Sequence, residues 1–536
     1  MRFLSCAAAA VLTSACLTVA GCTRGLAPHA NVLRIADLAE PDRLNPLLST
    51  MDVTEHLSAL IYSTLVISDD RGRLVGDLAE AVPSLENHGI SRDGKTVVYH
   101  LRPDITWHDG VPLTSRDVAF TWRLVMNPRN NVFHREGYDE VARIDTPDAR
   151  TVVVHLRRRS PPFVTRFFTS LQEGAKAILP EHLLAVRATI NEAPFNAAPV
   201  GSGPFKFVRW DRGRGIELEA YDHYFRGRPK IDRIVFTVIS DENTMLDQTR
   251  THEIDVAQSS GSLYGAYKSL PGVTTTLARW DSMSILAFND ARPGLRHLEV
   301  RQAIARAIND RALIDKVTHG VGTVARDIVP PGAIGYVANP AYPYDPAGAR
   351  KLLEAHGWKL GRDGIRSNGG ERLDFVYYTV TGSATGNSVA VLVQSWLRDV
   401  GIGVTIKNSP YNQIFSFEGP IQTGTYDLAA YSYTLPRDPD NLSYLGCDKF
   451  PNAGDNVFRY CDALVDAGER RGLTTDDPHA RAAIYAPVER RIRETVPYLP
   501  IYEARRIVVR IDGLRHYTVS PAIAQWWNAW EWDFAR

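Results

Sequence analysis

The sequence predicts a mixed protein of the α/β or α+β class, built from several lobes. Segments such as TVVYHL, TVVVHL and IELEAY alternate apolar and polar residues with the period of half-exposed strands. Between them lie segments with apolar residues at helical spacing, without the regular strand-helix alternation of a barrel. With 536 residues, 44% apolar and 23% charged, the chain is long enough for roughly two to four domain-sized cores.

Local signals place individual elements along the chain. VLRIA, residues 32–36, predicts an early strand. Thr114, with Asp117 three positions later, predicts a capping box at the start of a helix over SRDVAFTWRLVM. Gly201 and Gly203 in GSGPF predict a tight turn that a β-branched residue could not adopt. The segment SVAVLVQSWLRDVGI predicts a buried helix that ends at its glycine, residue 401.

The first 22 residues predict an export signal. MRFLSCAAAAVLTSACLTVAGC has an early cation at Arg2, an apolar core rich in small residues, and a cysteine, Cys22, after Val-Ala-Gly. This arrangement resembles a bacterial lipoprotein signal peptide, in which the cysteine thiol carries a diacylglyceryl group. An uncleaved membrane anchor is the alternative, because the apolar run is nearly long enough to span a bilayer. We therefore expect a lipid-anchored protein of the cell envelope, on the periplasmic or extracytoplasmic face.

Two further cysteines fit an oxidising compartment. Cys447 and Cys461 close a short loop and predict a disulfide, with two unpaired buried thiols as the alternative. A tetrahedral metal site is disfavoured, because the pair has no CxxC motif or paired histidines nearby.

Charge and motifs argue against nucleic-acid binding and against catalysis. Lys plus Arg and Asp plus Glu each number 61, so no basic field favours nucleic acid. HExxH, a P-loop ending in GK[ST] and GxSxG are all absent from the sequence. Asp438 and Asp440 lie in a proline-containing turn and are expected to be solvated turn residues. We therefore predict no enzyme, no catalytic residue, no metal site and no cofactor.

One long segment carries a family resemblance. YHLRPDITWHDGVPLTSRDVAFTWRLVMNP, residues 99–128, resembles the signature region of the periplasmic oligopeptide- and dipeptide-binding proteins, the family 5 solute-binding proteins of ABC importers. Other matching segments follow in order, including VGSGPFKFVRWDRGRGIELEAYDHYFRGRPKIDRIVF, LEVRQAIARAINDRALI and YLPIYEARRIVV. Together they cover nearly the whole chain after the signal.

The resemblance implies a two-lobed, periplasmic-binding-protein-like fold of class II, cluster C type, with an extra inserted domain. Hinge segments are expected near Ser282–Asn289 and Leu499–Tyr502. The implied parts are a signal peptide at 1–22, lobe I at 32–50, 196–283 and 502–536, the inserted domain at 51–195, and lobe II at 284–501.

The resemblance also implies a function. The protein would be a monomeric, lipid-anchored substrate-binding component of an ABC importer that captures peptides or a related small solute and delivers them to a permease with its ATPase. One alternative is a non-peptide cargo, such as an oligosaccharide, an opine-like compound or a chelated metal. Another is a chaperone or sensor lipoprotein of the envelope that does not take part in transport.

The expected ligand contacts come from segments that flank a peptide in relatives and bind its backbone. The implied set is Glu40, Pro41, Asp42, Tyr431, Ser432, Tyr433, Thr434, Asp438 and Tyr502.

One position departs from the peptide-binding pattern. Relatives present a carboxylate that pairs with the peptide ammonium, but Leu435 and Pro436 stand at that place here. Asp438 lies two residues later and would reach an ammonium only with a different loop path. Because a buried ammonium without a partner is costly, we expect that a free peptide amine is not held in the usual way.

Overall fold

The computed structural model of the protein describes most of the chain after the signal region. The described ranges are 31–49, 51–132, 135–171, 177–259, 261–330, 333–381, 383–416, 418–435, 438–451, 453–475, 477–522 and 524–535. The predicted signal peptide with Cys22, and Pro436, lie outside these residues.

The strands and helices follow one another in mixed order, which confirms the predicted mixed class. The strands are β1 Val32–Asp37, β2 Val66–Ser68, β3 Leu74–Gly76, β4 Thr96–His100, β5 Val141–Asp145, β6 Thr151–Leu156, β7 Phe205–Asp211, β8 Gly215–Ala220, β9 Arg233–Val238, β10 Val256–Gln258, β11 Val273–Phe288, β12 Thr323–Val324, β13 Lys359–Leu360, β14 Arg366–Asn368, β15 Glu371–Arg372, β16 Asp374–Val380, β17 Gly403–Ser409, β18 Leu428–Thr434, β19 Tyr498–Ile511, β20 Leu514–Arg515 and β21 Asp533–Phe534.

The helices lie between the strands. The α-helices are α1 Asp52–Ile61, α2 Ser115–Met126, α3 Phe163–Arg166, α4 Glu181–Leu184, α5 Glu242–Arg250, α6 Tyr264–Lys268, α7 Leu298–Ala307, α8 Asp310–Val317, α9 Pro346–Ala355, α10 Ala384–Asp399, α11 Tyr411–Phe415, α12 Pro420–Thr423, α13 Leu442–Leu445, α14 Ala463–Gly472 and α15 Pro478–Thr495. Short 3-10 helices cover Pro46–Leu48, Pro194–Asn196, Gly261–Leu263 and Ala529–Glu531.

One large sheet runs through both halves of the molecule. Its order is β17-β16-β18-β11-β19-β10-β1-β9-β8-β7, with β12 paired to β19. Strands β7 to β10 and β1 form the lobe I part, and β16, β17 and β18 form the lobe II part. The long strands β11 and β19 pair antiparallel and take part in both. A separate three-stranded sheet, β4-β6-β5, lies within residues 51–195, the predicted inserted domain.

The lobes have separate apolar cores. The two clusters of lobe II draw on residues 283 to 501 and lie on opposite faces of β11 and β18. Alternation along β11 explains this, because Leu286 and Phe288 belong to one cluster while Met283 and Ile285 belong to the other. Outside lobe II, one large cluster contains residues of both lobe I and the predicted inserted domain. A smaller cluster includes apolar residues of β10 and β11.

The pairing of β11 with β19 changes register between the lobes. Residues from Val273 to Arg279 pair with β19, pairing resumes at Met283, and a second register shift falls between Ser284 and Ile285. This second shift lies inside the predicted hinge at Ser282–Asn289 and opposite the other predicted segment, Leu499–Tyr502, because Ser284 pairs with Tyr502 and Ile285 with Pro500. The irregular pairing therefore begins before the first predicted hinge segment and extends into it, and it ends before the wholly buried Phe288.

Several local predictions are confirmed. The side chain of Thr114 caps α2 while Asp117 Oδ2 accepts from the Thr114 backbone amide at 2.8 Å, completing the capping box. Helix α10 ends beside Gly401, whose φ of 87° is in the left-handed region. The predicted disulfide between Cys447 and Cys461 is present.

The reason for the glycines in GSGPF differs from the predicted one. Neither Gly201 nor Gly203 adopts a left-handed φ. A Cβ on Gly201 would lie 1.9 Å from the carbonyl oxygen of Ile61, and a Cβ on Gly203 would lie 2.6 Å from the Ile61 carbonyl carbon. These glycines are therefore explained by close backbone approach to the end of α1.

Removing the disulfide is expected to lower the stability of lobe II. The cysteines are 14 residues apart, and a loop of that length corresponds to a loss of about 3 kcal/mol in the free energy of unfolding. The Cys447→Ser/Cys461→Ser variant should therefore unfold at lower temperature than the oxidised protein in a calorimetric scan. Reductant should lower the melting temperature of the wild type and leave that of the variant unchanged. Equal stability of variant and oxidised wild type would contradict the expectation.

Candidate functional site

The sheet brings the predicted lobe II segment beside the predicted hinge tyrosine. Ser432 on β18 pairs with Ser284 on β11, which pairs with Tyr502 on β19, which in turn pairs with Val324 on β12. These four residues form one row across the junction of the lobes. Burial raises the pKa of the Tyr502 phenol, and a hydrogen bond with Ser284 opposes that shift. The row places Ser432 and Tyr502 where the lobes meet.

The side chains of β18 divide between the two faces of the sheet. Tyr433 is 9% exposed, lies in the lobe II core with Met283, and its hydroxyl donates to Asn441 Oδ1 at 3.3 Å. Tyr431 is half-buried, with its ring centroid 5.6 Å from that of Phe415. Ser432, by contrast, is exposed on the other face. Tyr433 therefore packs β18 onto the lobe II core, on the face opposite to that of Ser432. The backbone of Thr434 pairs with β11.

The early predicted segment is attached to lobe I by its own hydrogen bonds. Glu40 Oε1 accepts from the Trp210 indole and from the Gly213 amide, both at 2.9 Å. The Pro41 carbonyl accepts from Arg212 at 3.4 Å, and Asp42 accepts from the Ser49 hydroxyl at 2.6 Å. Residues 40–42 are thus fixed against the β7–β8 hairpin. Their contact with a ligand stays a prediction.

The expectation that Asp438 and Asp440 are solvated turn acids is wrong. Each is only 8% exposed. Arg481 donates to both oxygens of Asp438, at 2.6 and 2.7 Å, and Arg166 donates to Asp440 at 2.6 Å. The arginines come from distant parts of the chain, so local sequence gave no sign of them.

The Asp438–Arg481 pair affects whether Asp438 could replace the ammonium-binding carboxylate that is missing at residues 435–436. Because Arg481 occupies both carboxylate oxygens, Asp438 would have to give up a buried bidentate ion pair to hold a ligand ammonium. Leu435 is buried, and its amide donates to the Asp281 carbonyl at 2.9 Å. Ligand contact by Asp438 stays a prediction, and this geometry argues against it.

A cavity of about 310 Å³, called here the hinge cavity, lies beside the crossing strands on the lobe I side. The ends of β1 and β10, the start of α1, and strands β11 and β19 form its walls. Its lining residues are Asp37, Ala39, Met51, Asp52, Val53, His56, Gln258, Ser259, Trp280, Arg505, Arg506 and Ile507.

The hinge cavity has charges of both signs. Strand β19 contributes Arg505 and Arg506, while the end of β1 and the start of α1 contribute Asp37 and Asp52. Arg506 Nη1 donates to the carbonyl oxygens of Ser520 and Ala522, and its guanidinium lies 5.3 Å from the Trp280 ring centroid.

Arg506 remains a cation despite its burial. Desolvation lowers the pKa of its guanidinium to about 10, which is still above neutral pH. Sequence reasoning missed both arginines, although they follow Tyr502 closely in YEARR. The signal that could have found them is their position on a strand that crosses between lobes.

A group of buried acids lies under the loop that follows β18. The Asn441 amide donates to Glu469 Oε2 at 2.9 Å, and burial raises the pKa of Glu469 well above its usual range. Burial, with Asp327 nearby, raises the pKa of Glu489 to about 8. Glu489 is therefore largely protonated at neutral pH in the folded protein.

The described residues contain neither a candidate metal cluster nor a candidate membrane-spanning helix. No group of three or more His, Cys, Asp or Glu side chains within the described ranges is arranged to hold a metal ion. In the same part of the chain, no helix has the length and apolar character needed to cross a bilayer.

Known proteins resemble this chain over most of its length. The family described as "Bacterial extracellular solute-binding proteins, family 5 Middle" matches residues 73–453. The oligopeptide-binding protein AppA of Bacillus subtilis is 26% identical over 511 residues, covering 93% of this chain and 91% of AppA. Di/tripeptide-binding protein 2 of Pseudomonas aeruginosa is 25% identical over 531 residues, covering 94% of each chain.

A solved structure shows the same architecture. The crystal structure of NikZ from Campylobacter jejuni in complex with Ni(L-His) superposes with a TM-score of 0.78 at 25% identity, covering 94% of this chain and 99% of NikZ. This likeness confirms the predicted two-lobed, periplasmic-binding-protein-like fold.

Breaking the Asp438–Arg481 pair is expected to destabilise lobe II. The Arg481→Met variant keeps most of the side-chain volume but leaves a buried carboxylate without its cation, a change that typically costs about 3–5 kcal/mol. Urea unfolding should show this loss, and adding Asp438→Asn should restore part of it. Arg490→Met, at an exposed position of the same helix, should change stability by less than about 0.5 kcal/mol. Equal effects of the two arginine variants would contradict the assignment.

Glu489 is expected to make stability depend on pH. Its folded pKa of about 8 lies above the unfolded value of about 4.3, so the folded state binds more protons between these values. The free energy of unfolding should therefore fall as pH rises through that window, by up to about 1.4 kcal/mol per pH unit from this group. Glu489→Gln should flatten the dependence in urea unfolding at pH 5, 6, 7 and 8.

The pH experiment has a control on the same helix. Glu494→Gln, at an exposed position near the end of α15, should leave the pH dependence as in the wild type. Other buried acids such as Asp290 add to the slope in every variant, so the difference between variants isolates Glu489. Parallel curves for wild type and Glu489→Gln would contradict the assignment.

Proposed function

Since the chain belongs to the bacterial extracellular solute-binding proteins of family 5, we propose that it is the substrate-binding component of an ABC importer, which captures a short peptide between its lobes and delivers it to a permease. The observation that carries this proposal is the hinge cavity, which lies beside the strands that join the lobes and contains both acidic and basic side chains.

The crossing strands support capture by closure. The irregular stretch between Arg279 and Met283 is where a few backbone torsions can turn one lobe against the other. A ligand bound between the lobes stabilises the closed form by its greater affinity for that form. The permease then needs to recognise only the closed form.

The dimensions and the two arginines of the hinge cavity favour a small ligand with a carboxylate end. Ligand pockets typically measure about 300–1,000 Å³, and this cavity of about 310 Å³ lies at the lower end. Arg505 and Arg506 fit a carboxylate end, and Trp280 offers an aromatic face. Two relatives are named for oligopeptide and di/tripeptide binding, which supports a peptide as the cargo.

Within this proposal, Ser432 and Tyr502 have the best support as contacts among the predicted set, because they share the row at the junction. Glu40, Pro41 and Asp42 would form the lobe I wall. Cys22 would carry the lipid that anchors the protein to the extracytoplasmic face of a membrane. The sequence of the signal region supports this anchor.

Binding should depend on the carboxylate end of a peptide more than on its amine. In thermal-shift measurements with pools of dipeptides and tripeptides, a pool member at 100 times its dissociation constant should add about 2.7 kcal/mol of stability. N-acetylated pools should shift the protein about as much as free ones, because Asp438 is already paired. C-amidated pools should shift it much less. A flat response to all pools would contradict peptide cargo.

A pair of arginine variants tests the hinge cavity directly. Arg505→Ala should weaken peptide binding by about tenfold or more, the loss expected for one charge-assisted hydrogen bond. Arg362→Ala, at an exposed position of lobe II, should bind like the wild type.

Native mass spectrometry of the protein, purified without refolding, provides an independent check of the cargo. A co-purified metal chelate or oligosaccharide would favour the alternative cargo, and no bound solute together with flat shifts would favour a chaperone or sensor role.

A further inference from the structure

A buried ion pair joins the inserted domain to lobe II. Arg166 is the last residue of α3, and its Nη2 donates to Asp440 Oδ2 at 2.6 Å. The two residues are 274 positions apart, and both side chains are at most 10% exposed. β11 and β19 provide the paired-strand crossing between the lobes, so this contact is a second, non-covalent link.

The inserted domain holds the arginine ready for this contact. Glu136 Oε1 lies 3.3 Å from Arg166 Nη2, and Glu140 Oε1 lies 4.0 Å from Nη1. The β-carbon of Arg166 packs on Gly137, where an added Cβ would lie 2.8 Å away. Burial alone would lower the pKa of the Arg166 guanidinium, but Glu136, Asp440 and Glu140 together raise it. Arg166 therefore keeps its charge and partners within its own domain when Asp440 is absent.

Lobe II holds the carboxylate in place in the same way. Asp440 Oδ1 accepts from the Leu442 amide at 3.0 Å. The Asp440 amide donates to Asp438 Oδ1 at 3.2 Å, and Asp438 is itself fixed by Arg481. The loop directly continues from β18, which borders the site. Closure of the lobes can therefore bring two already oriented charges together with little further ordering.

The surroundings of Arg166 and Asp440 differ between the open form, with the lobes apart, and the closed form, with the lobes together. With the lobes apart, Arg166 keeps Glu136 and Glu140, and water can solvate Asp440. With the lobes together, Asp440 is desolvated and needs the guanidinium opposite it. The pair thus favours a closed form in which the lobes meet in correct register and disfavours an offset one.

We propose that Arg166 and Asp440 are positioning residues that form a clasp between the inserted domain and lobe II, made when the cleft closes and broken when it opens. The clasp rests on the proposed function, because it sets how long a captured solute stays enclosed.

Ligand release tests the clasp. With an equimolar tripeptide library as the probe, Asp440→Asn and Arg166→Gln should each raise the dissociation rate by about tenfold or more. The double variant should be no faster than either single variant, because both remove the same interaction. The thermal stability of ligand-free Asp440→Asn, in which Arg166 keeps Glu136 and Glu140, should stay close to the wild-type value, which separates a closure contact from a general structural one.

The chain offers a matched control. Asp448→Asn breaks a 2.6 Å ion pair with Arg470 that lies entirely within lobe II, and it should leave the dissociation rate unchanged. Independent, additive effects of Asp440→Asn and Arg166→Gln would overturn the clasp. So would a wild-type dissociation rate in either single variant.

Failure of the proposed function would look different. If the tripeptide library does not bind the wild type, peptide cargo fails, and the clasp is then tested on the ligand-free protein by small-angle X-ray scattering. Asp440→Asn should have a larger radius of gyration than the wild type and than Asp448→Asn. Equal radii for the three proteins would overturn the clasp in the ligand-free protein.

Discussion

The antiparallel pairing of β11 with β19 is the constraint on which the rest of the structure depends. These two strands belong to both lobes, so one hydrogen-bonded sheet continues from the lobe I strands to the lobe II strands. The pairing fixes which residues face each other at the junction, and its two register shifts lie between Arg279 and Ile285. Both the hinge cavity and the row containing Ser432 and Tyr502 lie beside this pair of strands.

Buried charge is the second recurring feature, and it is concentrated where parts of the molecule meet. Asp438 and Asp440 are two positions apart in a single loop but pair with arginines from different parts of the chain. One pair stays within lobe II and fixes the loop, whereas the other joins lobe II to the inserted domain. A buried charge is costly without its partner. The Asp438 pair therefore holds the loop in place within lobe II, while the stability of the Asp440 carboxylate depends on whether Arg166 lies opposite it. Burial raises the pKa of Glu469 beneath the loop, which disfavours a further negative charge there.

Features that depend on residues nearby in the sequence are predicted correctly. Predictions are wrong for features that depend on contacts between distant residues. The capping box at Thr114, strand β1, the end of α10 and the disulfide all follow from short spacings, and the structure has each of them. The burial of Asp440 depends on Arg166, and the absence of a side chain at Gly201 depends on Ile61. Neither of these two contacts can be predicted from the residues nearby in the sequence. The resemblance to a family supplied the two-lobed architecture that periodicity alone could not.

These charges together bear on what the site recognises. The loop that would supply a carboxylate for a ligand ammonium has Leu435 buried in its wall and both oxygens of Asp438 held by Arg481. The cations of the hinge cavity, by contrast, lie on a crossing strand, and the burial that lowers the pKa of Arg506 is opposed by the carboxylates of Asp52 and Asp281, which raise it. In the proposed function, an anionic group on the ligand would meet Arg505 and Arg506 on the lobe I side of the junction, because the lining residues of the hinge cavity lie in lobe I and the inserted domain. Recognition would then begin at the anionic end of the ligand rather than at its amine, because Asp438 is already paired with Arg481.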